Sequence, residues 1–461
     1  MLPSSSLIDL FQGWPSPALL PVSLIETAFE KVLADPELLV SSLLYGPDPG
    51  PPSLLNALAI FLAKFYSSPW TSPSRLTTTG GASQGLSCIL QVFSDPIHTQ
   101  RVYMVAPTYF LACRIFEDHG FVGRLKAVPE DEEGLDIDKL EELISQEDRA
   151  KGPPELQPLP FKRPLANQKV FKHIIYCVST FSNPSGKSMS IARREQLVRL
   201  ARRHDALVIS DDVYDFLTWK PMTRFEASMP RLIDLDHFLD GGPSLPFGNV
   251  VSNCSFSKIL GPGLRTGWTE STERFAEGLS QCGSTRSGGS PSQFTASMIS
   301  ELLRSGALEA YLSNVLIPTY QVRSAAMVAA VQEHLVPHGA VLGLMEQSCQ
   351  GSPPVEGGYY VYLLLPEPID AARFANLARH EENVVVGAGH VFEVWGDEGS
   401  VPAQSGVRLC FAWEEADQIV EGISRLGKVL AKLVAESPNC SSPPTGVGRR
   451  NYQSFTALTC P

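Results

Sequence analysis

Between about residues 76 and 260 the chain alternates short apolar, β-branched runs with stretches of helical spacing. The runs are VYMV (102 to 105), HIIYCV (173 to 178), ALVIS (206 to 210) and NVVSNC (249 to 254). Each is almost continuously apolar, the pattern of a strand buried on both faces of a parallel sheet. Between two of them, SIARREQLVRLARRHD repeats apolar positions at helical spacing against a basic face, and Ser190 stands where an N-cap is needed. Alternating strands and helices predict α/β architecture. After about residue 290 the texture changes to long helical stretches (292 to 304, 307 to 334, 369 to 380, 414 to 434). These are interleaved with YYVYLLL (359 to 365), VVV (384 to 386) and VRLCF (407 to 411), which predicts a second, smaller α+β domain. Residues 147 to 170, rich in Pro and charge, read as a long surface loop, and 437 to 461 as a disordered tail.

Charge narrows the function classes. The 461 residues carry 37 Lys plus Arg against 49 Asp plus Glu, a net charge of −12, which speaks against a nucleic-acid partner. The opening MLPSSSLIDLFQGWPSP has no basic stretch followed by an apolar one, and no apolar run approaches the roughly 20 residues of a membrane span. A cytoplasmic location is therefore expected, with neither secretion nor membrane insertion. Nine cysteines without a Cys-x-x-Cys pair suit reduced thiols; Cys88, Cys177, Cys254 and Cys410 lie in apolar runs and read as small buried hydrophobes.

In an open parallel sheet, ligands bind beyond the carboxyl ends of the strands. Four successive runs end in polar groups: Ala106-Pro107-Thr108-Tyr109, then Ser179 to Gly186 with Asn183-Pro184, then Asp211-Asp212-Val213-Tyr214, then Ser255-Phe256-Ser257-Lys258. A lysine at the mouth of a buried sheet loses its proton readily and becomes a nucleophile towards aldehydes. An acid on a neighbouring strand keeps a pyridine nitrogen protonated, Tyr and Asn donate to a phenolate oxygen, and an aromatic ring stacks on a cofactor face. Leu76 to Gln84 passes through Gly80-Gly81 from a strand-like run into a helix, an anion site for a phosphate, to which Ser255 and Arg265 add a hydroxyl and a guanidinium.

Other patterns compete. Gly81-Ala82-Ser83-Gln84-Gly85 fits the G-x-S-x-G elbow of a serine hydrolase, but that reading leaves SFSKILGPGLR, NPSG and DDVY unexplained. Gly186-Lys187-Ser188 ends like a Walker A loop, yet Phe181 occupies the first glycine position; Gly261, Gly263 and Gly267 miss the dinucleotide fingerprint by one residue.

The ordered set APTY, STFSNPSG, SDDVY, SFSKILGPGLRTGW and GVRLCFAW resembles the fold-type I pyridoxal-phosphate enzymes, specifically the class I/II aminotransferases and their multi-substrate, 2-aminoadipate branch. The resemblance implies an aspartate-aminotransferase-like fold: a large domain with a mainly parallel, seven-stranded-type sheet between helices, and a smaller α+β domain. It divides the chain into an N-terminal segment (1 to 45) packing on the small domain and pocket, a large domain (46 to 305), a small domain (306 to 436) and a tail (437 to 461). It implies pyridoxal 5'-phosphate as cofactor and no metal. Lys258 would form the Schiff base and shuttle the proton, Asp211 pair with the ring nitrogen, Tyr214 and Asn183 bond the ring oxygen, and Tyr109 stack. Gly81, Ala82, Ser83, Ser255 and Arg265 would hold the phosphate, Arg408 the substrate α-carboxylate, and Gly13 would line the substrate pocket. Tyr45 would reach the phosphate of a neighbouring subunit, implying a homodimer acting on an amino acid and a 2-oxo acid. The chain departs from the family at Leu54-Leu55, where relatives carry Leu-Arg, and at Ala106, often acidic; the stretches 147 to 170 and 219 to 247 are longer than a minimal member needs. The same scaffold also supports carbon–sulfur lyase or aminocyclopropane-carboxylate-synthase chemistry. Trp14, Tyr45 and Tyr359 are the aromatic candidates beside the pocket, whereas Asp212, Arg286 and His390 read as structural or solvated residues.

Overall fold

The computed structural model describes residues 6–150, 159–220, 225–286, 288, 291–343 and 355–437. Its centre is an eight-stranded sheet in the order Leu76–Thr79, Gly267–Glu270, Val250–Ser255, Ala206–Asp211, His173–Cys177, Arg101–Ala106, Leu125–Asp131 and Gly134–Leu135. The five strands from Val250–Ser255 to Leu125–Asp131 run parallel, whereas Gly267–Glu270 is antiparallel to both of its neighbours. The two-residue Gly134–Leu135 strand, antiparallel to Leu125–Asp131, adds an eighth member to the seven-stranded type expected.

The continuous apolar runs follow from burial on both faces. Side chains alternate across a strand, so Val102, Met104, Ile174, Tyr176, Leu207 and Ile209 join one core with Leu86, Ile89 and Phe93 of the Ala82–Phe93 helix. Tyr103, Val105, Ile175, Cys177, Ala206 and Val208 join the opposite core with Leu140 and Ile144 of Ile137–Ala150 and Leu197 and Val198 of Ile191–Arg203. As the sequence predicts, the Ser190 side chain caps that last helix by accepting from Arg193 N.

A second, antiparallel sheet contains Val341–Leu342, Tyr360–Leu364, Gly406–Cys410 and Gly387–Ala388 in that order. The helices Ile317–His334 and Ala416–Glu436 pack together beside it. The stretch expected as helical over 307 to 334 is helical throughout, with one wide π turn, Leu312–Leu316, between Ala307–Tyr311 and Ile317–His334. Pro318 accounts for the wide turn, since it has no N–H to return to the carbonyl four residues earlier. Residues 147 to 150, expected as loop, complete the Ile137–Ala150 helix, where Glu147 pairs with Arg101 and Asp148 with His173. The tail expected at 437 to 461 lies outside the described residues after Ser437.

The N-terminal segment is built into the second sheet region. Ile8–Asp9 pairs in parallel with Val384–Val385, Cys410 N donates to Leu10 O, and Arg425 reaches Ser6 O. The following helices, Val22–Ala34 and Pro36–Leu43, pack instead on Gln293–Arg304. No helix among the described residues is long and apolar enough to cross a membrane.

Candidate active site

Four parallel strands deliver their carboxyl ends to one cavity of about 490 Å³, a volume suited to a small organic ligand. Tyr109, Asn183, Asp211, Tyr214, Ser255 and Lys258, expected to converge from four separate chain segments, all line it, as do Gly13, Ala82, Ser83, Arg265 and Arg408.

Lys258 ends a short turn, Phe256–Lys258, that begins where the Ser255 hydroxyl accepts from Ser257 N. Its amine donates a 2.7 Å bond to Gly13 O and lies 5.9 Å from the Tyr214 ring centroid and 5.3 Å from that of Tyr359. Loss of hydration lowers its pKa to about 8; Arg408 pushes the same way, and Cys410 and Asp211 oppose. A lysine so poised is a competent nucleophile and proton carrier near neutral pH.

Asp211, at the end of its strand, is buried, and burial raises its carboxyl to about 7 despite the bond it accepts from Tyr176. Tyr176 Oη donates at 2.8 Å to Asp211 Oδ2, while buried Oδ1 has no partner among the described residues. A buried, unpartnered carboxylate oxygen is costly, so it calls for a ligand N–H. Neighbouring Asp212 is structural, as expected: Ser210 and Ser252 donate to its two oxygens.

The phosphate-type site lies at the exposed rim. Gly81 caps the Ala82–Phe93 helix with φ +99°, where side chains are strained, and a Cβ there would come 2.7 Å from Arg265 Nη2. Arg265 donates through Nη2 to Gly80 O at 2.6 Å and through Nη1 to Pro262 O at 2.9 Å. Asn253 Nδ2, donating to Ala82 O at 2.9 Å, pins the loop to the sheet. Ser83 lies in the helix's first turn, and among the described residues no histidine or carboxylate bonds its hydroxyl; the hydrolase elbow is not formed. The free N–H groups of that turn, Ser255, Ser257 and Arg265 instead form a donor set for a dianion.

At the opposite wall Arg408 is buried in the Gly406–Cys410 strand. It donates through Nη1 to Asn183 Oδ1 at 2.8 Å and through Nη2 to Phe11 O at 2.6 Å, and its Nε has no partner among the described residues. The guanidinium lies 4.3 Å from the ring centroid of Tyr360, whose hydroxyl is 3.1 Å from that of Tyr214. A guanidinium with buried, unspent donor capacity suits a carboxylate. The cavity therefore brings together anion donors, a carboxylate oxygen without a donor among the described residues, an amine and a second anion site. That set fits a phosphorylated pyridine aldehyde together with an amino acid.

One expectation needs correction. Tyr359 does not face the cavity: it is fully buried, donating to Lys258 O at 3.2 Å and lying 3.2 Å from the Tyr320 hydroxyl. Its neighbour Tyr360 lines the cavity, because successive side chains of a strand point to opposite faces. Tyr45 is 89% exposed, with its ring against Gly288, and stands outside this chain's own cavity. Trp14 lines the mouth, its ring 6.4 Å from Trp413. Sequence reasoning missed Tyr176, Ser257, Phe11 and Tyr360. Ser257 alone carried a usable signal, sitting between Ser255 and Lys258.

The family model described as aminotransferase class I and II matches residues 32–426. An uncharacterized protein of Saccharomyces cerevisiae is 32% identical over 441 residues, covering 92% of this chain and 96% of that one. The 2-aminoadipate transaminase of Thermus thermophilus is 27% identical over 93% of this chain and 91% of its own. Among solved structures, the kynurenine aminotransferase of Pyrococcus horikoshii, in complex with PMP, superposes with a TM-score of 0.73 at 25% identity, covering 93% of this chain and 92% of that one.

Proposed function

The chain belongs to the aminotransferase class I and II family, and from that premise we propose that the cavity at the strand ends is its active site, with Lys258 as the catalytic lysine. The enzyme is a pyridoxal-phosphate-dependent transaminase that moves an amino group from an α-amino acid to a 2-oxo acid. One observation carries the assignment of the site: a desolvated amine on Lys258 shares its cavity with a buried Asp211 oxygen that no donor among the described residues satisfies.

When bound, pyridoxal 5'-phosphate supplies an aldehyde that condenses with amines and a ring that draws electron density from the substrate's α-carbon. Gly81, Ala82, Ser83, Ser255, Ser257 and Arg265 hold the phosphate. Asp211 Oδ1 would keep the ring nitrogen protonated, Tyr214 and Asn183 would donate to the ring oxygen, and Tyr109 would stack on the ring. Arg408 fixes the substrate α-carboxylate, which orients the α-hydrogen towards Lys258. Lys258 Nζ, released from its bond to Gly13 O, would be the group that accepts and carries the substrate's α-proton. Tyr360 holds the Arg408 plane and, with Gly13, narrows the pocket.

The proposal extends to a homodimer with shared sites. Leu33, Val40, Leu43, Leu44, Tyr45 and Ile60 are each more than half exposed, an apolar content suited to a subunit interface. Tyr45 at its edge is then free to reach a partner's phosphate. A cytoplasmic location is consistent with six buried, free cysteines.

The deciding experiment is spectroscopic. Purified protein should show the visible absorption of a lysine–pyridoxal imine, lose it on adding an amino acid and regain it with a 2-oxo acid. Lys258→Ala should lack both the band and turnover. A Lys258→Ala protein that keeps either one would overturn the assignment.

A further inference from the structure

We propose that Tyr176 is a positioning residue for transamination, engaging one oxygen of Asp211 so that the other is the sole acceptor for the cofactor's ring nitrogen. The inference rests on the active-site reading above and adds a residue which that reading does not use.

Tyr176 and Asp211 lie on adjacent parallel strands, with Tyr176 opposite Ile209 in the register. Both are buried, at 1% and 7% exposure. The 2.8 Å bond from Tyr176 Oη takes Asp211 Oδ2, and Oδ1 is left bare. The phenol ring is itself fixed, edge-on to Phe116 with centroids 5.8 Å apart. A carboxylate on a free torsion presents either oxygen; one tied through Oδ2 to a locked ring presents a single oxygen in a single direction.

The choice of donor matters as much as its place. Burial drives the Tyr176 phenol well above its ordinary pKa, so it stays a neutral donor whenever the protein is folded. A cation there would compete with the ring nitrogen for the negative charge of Asp211. A neutral hydroxyl orients the carboxylate and leaves its charge available. The titratable groups facing Asp211 are Tyr176, Tyr109 and the Cys177 thiol, which are uncharged, the cation of Lys258, and Asp212 just past the end of its strand. Lys258 is committed to the aldehyde end of the cofactor, so Tyr176 is the group whose role is confined to Asp211.

The test compares two ligands on holo-competent full-length protein: pyridoxal phosphate, and its analogue with the ring nitrogen replaced by carbon. Tyr176→Phe should weaken the cofactor roughly tenfold, the worth of one hydrogen bond to a charged group, with about the same affinity as wild type for the carbon analogue. The acid-side midpoint of cofactor affinity should move to higher pH, because the lost bond favours the charged form of Asp211. In an Asp211→Asn background, Tyr176→Phe should change the cofactor's affinity no further. Incorporating 3-fluorotyrosine at Tyr176, a stronger donor that keeps the ring, should shift affinity and midpoint in the opposite direction, and this arm decides the matter if Tyr176→Phe does not fold. Equal losses for both ligands, or no loss for either, would overturn the inference. Wild-type protein that binds neither ligand would instead overturn the active-site reading beneath it.

Discussion

Arg408 and Asn183, 225 positions apart, meet in a buried 2.8 Å hydrogen bond that joins the strand of the small sheet to the loop after a strand of the large one. The proposed substrate-carboxylate and cofactor-oxygen sites are thus mechanically one unit. Arg408→Lys should therefore damage both. A lysine supplies one point charge in place of a fork and cannot serve Asn183, Phe11 O and a carboxylate together. The expected loss in kcat/KM for amino acids is about 100-fold, with the visible cofactor band retained and displaced. Steady-state kinetics beside absorption spectra check this.

The pKa of Lys258 predicts how cofactor uptake depends on pH. Only the neutral amine attacks an aldehyde. With the pKa lowered to about 8, the neutral fraction rises as pH climbs towards 8 and saturates above it. The rate of band formation after mixing cofactor-free enzyme with pyridoxal phosphate should rise about tenfold per pH unit below that point and flatten beyond it. A rate still climbing at pH 10 would show an ordinary lysine.

Asp211 should cost the cofactor-free protein stability. Its pKa rises from 3.8 to about 7 on folding, so between those values the folded state holds a proton that the unfolded chain has released. Stability therefore falls as pH rises through this window. Asp211→Asn, which cannot ionise, should be more stable than the wild type by about 2–4 kcal/mol at pH 8 and by little near pH 4. The same variant should fail to hold the cofactor tightly. Denaturant titrations at the two pH values measure the first effect.

Gly81→Ala meets two obstacles, a φ of +99° and a Cβ placed 2.7 Å from Arg265 Nη2. Arg265 cannot retreat without releasing Gly80 O. Cofactor affinity should fall about 100-fold, with a loss of stability of about 1–3 kcal/mol. Calorimetric titration separates this from a folding defect.

Arg231 lies fully buried between Asp234 and Glu270, its Nη2 3.0 Å from one and its Nη1 2.9 Å from the other. Asp234→Ala leaves the guanidinium half-paired and the Ser68 hydroxyl without its 2.8 Å acceptor. The expected loss is about 3–5 kcal/mol, the cost of breaking a buried ion pair from one side. Thermal unfolding of the cofactor-bound enzyme reads it.

How much of this was legible in the sequence follows from what each residue does. Parallel strands buried on both faces have a one-letter signature, and the polar residues at their carboxyl ends sit beside them in the chain. Asp211, Tyr214, Asn183 and Lys258 could therefore be read directly. Tyr176 could not: in HIIYCV a buried tyrosine looks like any core aromatic, and only the neighbouring strand's register shows its hydroxyl reaching a carboxylate. Tyr360 hid similarly, since YYVYLLL does not say which tyrosine faces the cavity. The Arg231, Asp234 and Glu270 cluster combines a helix start with a distant antiparallel strand, a pairing no local pattern encodes.

The N-terminal segment carries a consequence for biosynthesis. Asp9 N donates to Glu414 Oε1, a residue 405 positions further along, and Lys258 and Arg408 both rest on carbonyls of residues 11 to 13. At ribosomal rates of about 5–20 residues per second, Asp9 waits roughly 20–80 s before its partner is made. Throughout that interval Leu10 and Phe11 have no sheet to enter. The pocket acquires its N-terminal wall only after translation has passed the second sheet, so the site cannot close before those strands are made.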